Sequence, residues 1–204
     1  SADGSVVGYA YNAGGQRRAF RWQNGVMQDL GTLGNSVANG VSADGSVVVG
    51  WAFHNGAMRA FRWTATNGVQ YLDMPTGFDN LSYALDVSAD GSIVVGRAEG
   101  SGGSRALRWE NGVMQDLGTL GGDHSAALAV SADGSIVFGE SRDSDGADFA
   151  FRWTQNTGME NLGFEGTILG VSADASVLVG GTYAFSTGMI QSGAPFVGLR
   201  LEGL

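Results

Sequence analysis

Three carboxylates crowd one short stretch, Asp143-Ser144-Asp145-Gly146-Ala147-Asp148. Hard oxygen ligands at near-alternating spacing, with a glycine for the bend, suit Ca²⁺. Asp143, Asp145 and Asp148 are therefore the candidate metal ligands, although no Glu follows at the distance a bidentate ligand would need. Calcium is the one cofactor this reading admits. The two histidines, His54 and His124, share no ligand spacing, which argues against zinc. The chain has no cysteine, so thiolate sites and disulfides are excluded. No Gly-rich loop opens a helix, and no local motif supports a Ser–His–Asp triad. No catalytic residue is assigned.

Other chemistry-bearing residues recur. Arg21, Arg62, Arg108, Arg152 and Arg200 occupy one place in a repeating pattern, and Asp3, Asp44, Asp90, Asp133 and Asp174 another. A catalytic site is singular, so a residue used five times is read as architecture. The Asp is expected to cap a turn, and the Arg to join neighbouring units through carbonyls or acidic partners. Phe20, Trp22, Phe61, Trp63, Trp109, Phe151 and Trp153 fall at i and i+2 of one strand and are expected to pack between units. Exposed, they would instead suit stacking on sugar rings.

The unit behind the pattern is Ser-Ala-Asp-Gly-Ser. It begins at residues 1, 42, 88 and 131, and returns as Ser-Ala-Asp-Ala-Ser at 172, so the starts lie 41, 46, 43 and 41 residues apart. Asp-Gly between apolar runs is a hairpin signal, because glycine accepts the positive φ of a tight turn. An inner strand precedes the phrase (36–41, 81–87, 125–130, 167–171) and a second follows it (5–9, 46–51, 92–97, 135–140, 176–181). A third is built on Ala-Phe-Arg-Trp at 19–22, 60–63 and 150–153, with Ala-Leu-Arg-Trp at 106–109. An Asn-Gly or Thr-Gly turn then leads to a fourth. Helical periodicity of useful length is absent. Four antiparallel strands in 40–50 residues, repeated, predict an all-β chain and a single β-propeller domain over 1–204. Its repeats span about 1–35, 36–80, 81–124, 125–166 and 167–204, with strand counts of three, four, four, four and three. The first and last blades are thus incomplete, and the expected reason is that the sequence is a segment of a longer chain.

The phrases Ala-Phe-Arg-Trp, Asn-Gly-Val-Met-Gln-Asp-Leu-Gly-Thr-Leu-Gly (24–34 and 111–121) and Val-Ser-Ala-Asp-Gly-Ser resemble those of the HAF family of extracellular bacterial repeats. The match runs through nearly the whole sequence. The resemblance implies a propeller-like array and an extracellular or cell-surface location, and brings no catalytic residues with it. The fifth repeat departs most, with Ala175 for Gly and Leu201 for Trp, which points to an end-capping role.

Composition narrows the partners. A net charge of −9 argues against nucleic acid, and no apolar run approaches the roughly 20 residues that would span a bilayer. All 11 basic residues are arginine, which suits fixed structural pairing. Unrepeated residues on the loops joining second to third strands, and fourth to next-first strands, are the better candidates for recognition. They are Tyr11, Trp51, His54, Phe78, Asp79, Asp123 and His124, together with the 182–195 loop. The expected role is a non-catalytic binding or scaffold module for a glycan or surface polymer. One alternative is a stalk or filament that self-associates through open blade edges. Another is a polysaccharide-active enzyme, for which Asp86 on an inner strand is the sole hint.

Overall fold

The computed structural model describes residues 1–31, 34–78 and 81–182, and the backbone of 185–186, 189–190 and 195–200. The first sheet is β1 (Val6–Tyr11), β2 (Arg17–Gln23) and β3 (Val26–Asp29). The second is β4 (Ser36–Val41), β5 (Val47–His54), β6 (Ala57–Thr64) and β7 (Gly68–Tyr71). The third comprises β8 (Leu81–Val87), β9 (Ile93–Gly100), β10 (Gly103–Glu110) and β11 (Val113–Asp116). The fourth begins with β12 (Gly121–Val130), β13 (Ile136–Asp143) and β14 (Asp148–Thr154). Its outer strand is the first half of β15 (Gly158–Val171), whose second half pairs with β16 (Val177–Thr182). Then come β17 (Phe185–Ser186), β18 (Met189–Ile190) and β19 (Pro195–Arg200), the last pairing with β16. The chain is all-β and antiparallel, one sheet per repeat, with β15 running unbroken from the fourth into the fifth. No strand of the first sheet pairs with β16 or β19 among the described residues.

Each hairpin tip is built by the repeated phrase. In the second repeat the Ser42 hydroxyl donates to Asp44 Oδ1 (2.7 Å) and accepts the Val47 N–H (3.0 Å). Asp44 also accepts the Ser46 N–H at 3.0 Å. The same set recurs at Ser88–Asp90–Ile93, Ser131–Asp133–Ile136 and Ser172–Asp174–Val177. Gly45 and Gly91 have φ of 70° and 74°, which favours glycine. A Cβ on Gly91 would also stand 2.5 Å from Val47 of the preceding repeat. The fifth repeat instead places Ala175 at φ 59°, its methyl buried against Ile168 and Leu178.

The core is divided into slabs between successive sheets. Val48, Phe61 and Trp63 pack with Ala19 and Leu30 of the first sheet, and Trp109 and Leu107 pack with Val47 and Val49 of the second. Polar links cross the same gaps. Ser36, Ser82 and Ser125, all fully buried, accept the N–H groups of Ala19, Ala60 and Ala106 in the preceding sheet at 2.8–2.9 Å. Ser125 also donates to the Gly118 carbonyl at 2.7 Å.

Ser125→Ala strands the buried Ala106 N–H and should cost about 1–3 kcal/mol. For a domain of this size that is a fall in Tm of roughly 2–4 °C per kcal/mol, measurable by differential scanning calorimetry.

Candidate functional site

The residues that recur do what architecture requires. Arg21 Nη1 donates to the Gly45 carbonyl at 2.7 Å, and its guanidinium lies 5.1 Å from the Trp63 ring of the next sheet. Trp63, Trp109 and Trp153 are buried to within a few per cent, so they pack between sheets and offer no stacking platform. The carboxyls of Asp90 and Asp174 are held down to about 2, first by the hydroxyls of Ser88 and Ser172, then by the Ser92 and Ser176 N–H groups. Asp3, Asp44 and Asp133 are lowered for the same reason.

The residues that vary form a rim at the other end of the sheets. Immediately after the Val-x-Gly or Phe-Gly of each second strand stand Tyr9, Trp51, Arg97 and Glu140, paired in register with Ala19, Ala60, Ala106 and Ala150. Equivalent positions thus carry four different chemistries. Arg17 bridges the first two sheets, with its guanidinium 5.7 Å from the Tyr9 ring and 5.3 Å from that of Trp51. Trp51 meets Tyr83 of the third sheet edge to face, centroids 6.2 Å apart. The Arg97 guanidinium lies 5.1 Å from the same Tyr83 ring and pairs with Glu99 at 2.9 Å.

Beyond Arg97 the rim turns polar. Ser104 Oγ lies 2.5 Å from His124 Nδ1, and His124 Nε2 lies 3.7 Å from Glu140. The contact with His124 holds the half-buried Glu140 carboxyl below its usual range against the opposing effect of burial, with Thr167 assisting. Ser104 itself is buried and also donates to the Ser125 carbonyl at 3.1 Å. An open cavity of ≈460 Å³ adjoins this group, lined by Arg97, Glu99, Ser104, Asp123, His124 and Arg142. Charges of both signs around a concave wall offer paired donors and acceptors to a hydroxyl-rich ligand.

Several expectations change at this point. Tyr11, His54, Asp123 and His124 lie on strands, not loops, and Trp51 lies within the second strand expected at 46–51: β5 runs on to the Asn55-Gly56 turn, β1 runs on to Tyr11, and the inner strand β12 starts at Gly121 and not at 125. Of these, Trp51, Asp123 and His124 join the rim. Tyr11 stays at its outer end, exposed and in edge contact with Tyr9 at 5.8 Å. His54 is set apart, stacked on Tyr71 at 4.0 Å. Phe78 packs against the core beneath Arg105, 5.1 Å from its guanidinium. Asp79 and the side chains of the 182–195 loop lie outside the described residues, while the loop's described backbone holds the short pair β17–β18.

The calcium set does not assemble. Asp143 Oδ1 accepts the N–H groups of Asp145 and Ala147, both at 2.9 Å, which closes the β13–β14 hairpin. Asp148 is held bidentately by Arg142 at 3.0 and 3.1 Å. Among the described residues, no group of three or more His, Cys, Asp or Glu side chains is placed to hold a metal ion. Asp86 lines a cavity of ≈600 Å³ and accepts the N–H groups of Val87 (2.8 Å) and Val130 (3.0 Å), so it ties β8 to β12. Burial raises its pKa, and those two bonds oppose the rise.

No family model and no curated protein matches the sequence. Among solved structures, the chain is similar to TolB from Acinetobacter baumannii (TM-score 0.59, 19% identity), covering 90% of this chain and 46% of that one. A putative TolB from Agrobacterium tumefaciens gives a TM-score of 0.59 at 15% identity, covering 80% and 62%. A chain of a nidogen/laminin complex gives 0.53 at 10% identity, covering 88% and 71%. The chain thus spans about half to three fifths of the length of the TolB structures. The likeness shows a β-propeller-like fold.

Because the tip carboxylates are depressed in the folded state, their contribution is present above the unfolded value near 4 and is lost as pH falls toward about 2. Thermal melts should show a Tm that is flat from pH 7 to 5 and declines progressively below pH 4. Asp90→Asn should lower Tm at pH 6 and have a smaller effect at pH 2.5.

Proposed function

We propose that the chain is a non-catalytic extracellular binding module of β-propeller type that grips a glycan or surface polymer along its rim. The observation that carries this reading is the run Tyr9–Arg17–Trp51–Tyr83–Arg97, half-exposed aromatics and arginines linked across three sheets. The repeat does not require these side chains, since equivalent positions hold Glu140 in the fourth sheet and Gly181 in the fifth. Aromatic faces suit the C–H faces of sugars, and the neighbouring Glu99, Asp123, His124 and Arg142 suit their hydroxyls. A strip spanning sheets matches an extended ligand, while the acidic balance of −9 disfavours nucleic acid. The extracellular location rests on the resemblance to HAF repeats. Among the described residues, no helix is long and apolar enough to cross a membrane.

A glycan array followed by titration tests the reading. Trp51→Ala and Tyr83→Ala should each weaken binding by on the order of 30-fold, as buried aromatic anchors do, with an unchanged far-UV circular dichroism spectrum. Wild-type affinity in both variants would remove the rim from the account.

A second reading, self-association, is favoured by one feature of the first sheet. Trp22 is 39% exposed where Trp63, Trp109 and Trp153 are at most 4%, and its cross-strand partner Val6 is 54% exposed where Val48, Val94 and Val137 are at most 2%. Sedimentation from micromolar to submillimolar concentration should show association that Trp22→Ser abolishes. A monomer throughout would end this reading.

A further inference from the structure

The face opposite the rim, where the hairpin tips lie, carries a second feature that stands independently of the glycan reading. At three of the four junctions between sheets, the third-strand arginine is neutralised or covered. Arg21 makes its 2.7 Å bond to Gly45 and lies over Trp63. Arg108 pairs with Glu110 at 2.8 Å and lies 5.8 Å from the Trp153 ring. Arg152 pairs with Glu160 at 3.0 Å.

Arg62, at the junction of the second and third sheets, departs from this rule. Its one hydrogen bond is a long contact from Nη2 to the Gly91 carbonyl, 3.4 Å, and it has neither a carboxylate nor a ring partner among the described residues. The sequence explains the missing carboxylate, as it does at Arg21, where Gln23 and Gln28 hold the same two positions. Thr64 stands where Glu110 follows Arg108, and Gln70 pairs with Arg62 in register where Glu160 pairs with Arg152. Both acid positions are neutral here.

Beside Arg62 lies a cleft of ≈360 Å³. Tyr71, Leu72 and Trp109 form its apolar wall, and Gln70, Ser92 and Asn111 offer neutral polar groups. The wall is fixed, because the Trp109 indole N–H donates to the Asp73 carbonyl at 2.8 Å. A guanidinium with unused donors on a concave wall matches a carboxylate, which it can hold through two parallel bonds. One arginine balances one charge, so a monoanion is favoured over a dianion such as a phosphate.

We infer that this cleft binds the carboxylate of a sugar-sized acid, of which a hexuronate is the type. The competing ligand is a small carboxylate without a sugar ring, and the comparison of glucuronate with acetate separates the two, with glucose as the uncharged control. D-Glucuronate, D-glucose and acetate are titrated against the whole chain while the Trp109 indole N–H is followed by ¹⁵N NMR. Glucuronate should shift that resonance saturably, and glucose at equal concentration should leave it unmoved. Acetate should bind at least 10-fold more weakly; acetate as tight as glucuronate overturns the sugar-sized ligand. Arg62→Gln should weaken glucuronate by on the order of 10-fold or more. Thr64→Glu supplies the acid found beside Arg108 and should close the site without disturbing the fold. Arg142→Gln and Trp51→Ala, on the rim, should leave it intact. Undiminished glucuronate binding in Thr64→Glu, or none in the parent chain, overturns the inference.

Discussion

A chain of backbone hydrogen bonds runs through the hairpin tips and joins one repeat to the next. The Ala43 N–H donates to the Ala89 carbonyl at 2.9 Å, Ala89 to Ala132 at 2.9 Å, and Ala132 to Ala173 at 3.1 Å. The first repeat enters the chain through the Asp3 N–H, which donates to Ala43 at 3.1 Å. A tip therefore has two tasks within five residues. Its serines and Asp satisfy the turn, which leaves the Ala peptide group free to face the neighbour. The glycine lets that neighbour approach closely, as Gly91 does over Val47. Small changes to the phrase would disturb both tasks at once, which is a physical reason for its near-verbatim recurrence.

Once that linkage is made, the remaining junction follows from it. Sheets held at fixed separation trap a slab of Val, Leu, Phe and Trp between them, and the buried serines at the start of β4, β8 and the conserved-register segment of β12 satisfy the alanine amides that the slab would otherwise strand. A rigid frame of this kind leaves two kinds of position open to variation: the rim residue after Val-x-Gly, and the acid partners of the junction arginine. The aromatic run and polar cluster use the first, and the cleft at Arg62 uses the second. Both arise where one repeat differs from its siblings.

The same logic explains what could be read in advance. The inner strands at 36–41 and 81–87 coincide with β4 and β8, because Ser-x-Ala and the phrase bracket them in the sequence. Second strands proved longer than expected, since the backbone beyond Trp51 or Arg97 continues the pairing until Asn55-Gly56 or Ser101-Gly102 turns the chain. The unbroken β15 was hidden because Gly163 and Gly166, both at positive φ, read as a break that the strand runs through. For the site, Trp51, Asp123 and His124 were visible as unrepeated residues. Tyr83, Arg97, Ser104 and Glu140 were not, because each sits within a strand and gains meaning only from the adjacent sheet. Setting the repeats in register would have exposed the Tyr–Trp–Arg–Glu column. The triplet Asp143, Asp145 and Asp148 misled because the spacing of a ligand loop is also that of a capped hairpin.

Amide hydrogen exchange at Ala43, Ala89 and Ala132 tests the central linkage most directly. If the tips join the sheets, these three turn amides exchange only through global unfolding, at rates matching buried strand amides such as those of Val48 and Val95. Exchange as fast as at the exposed Asn24-Gly25 turn would show that the tips are ordinary hairpin ends, and the linkage would be refuted.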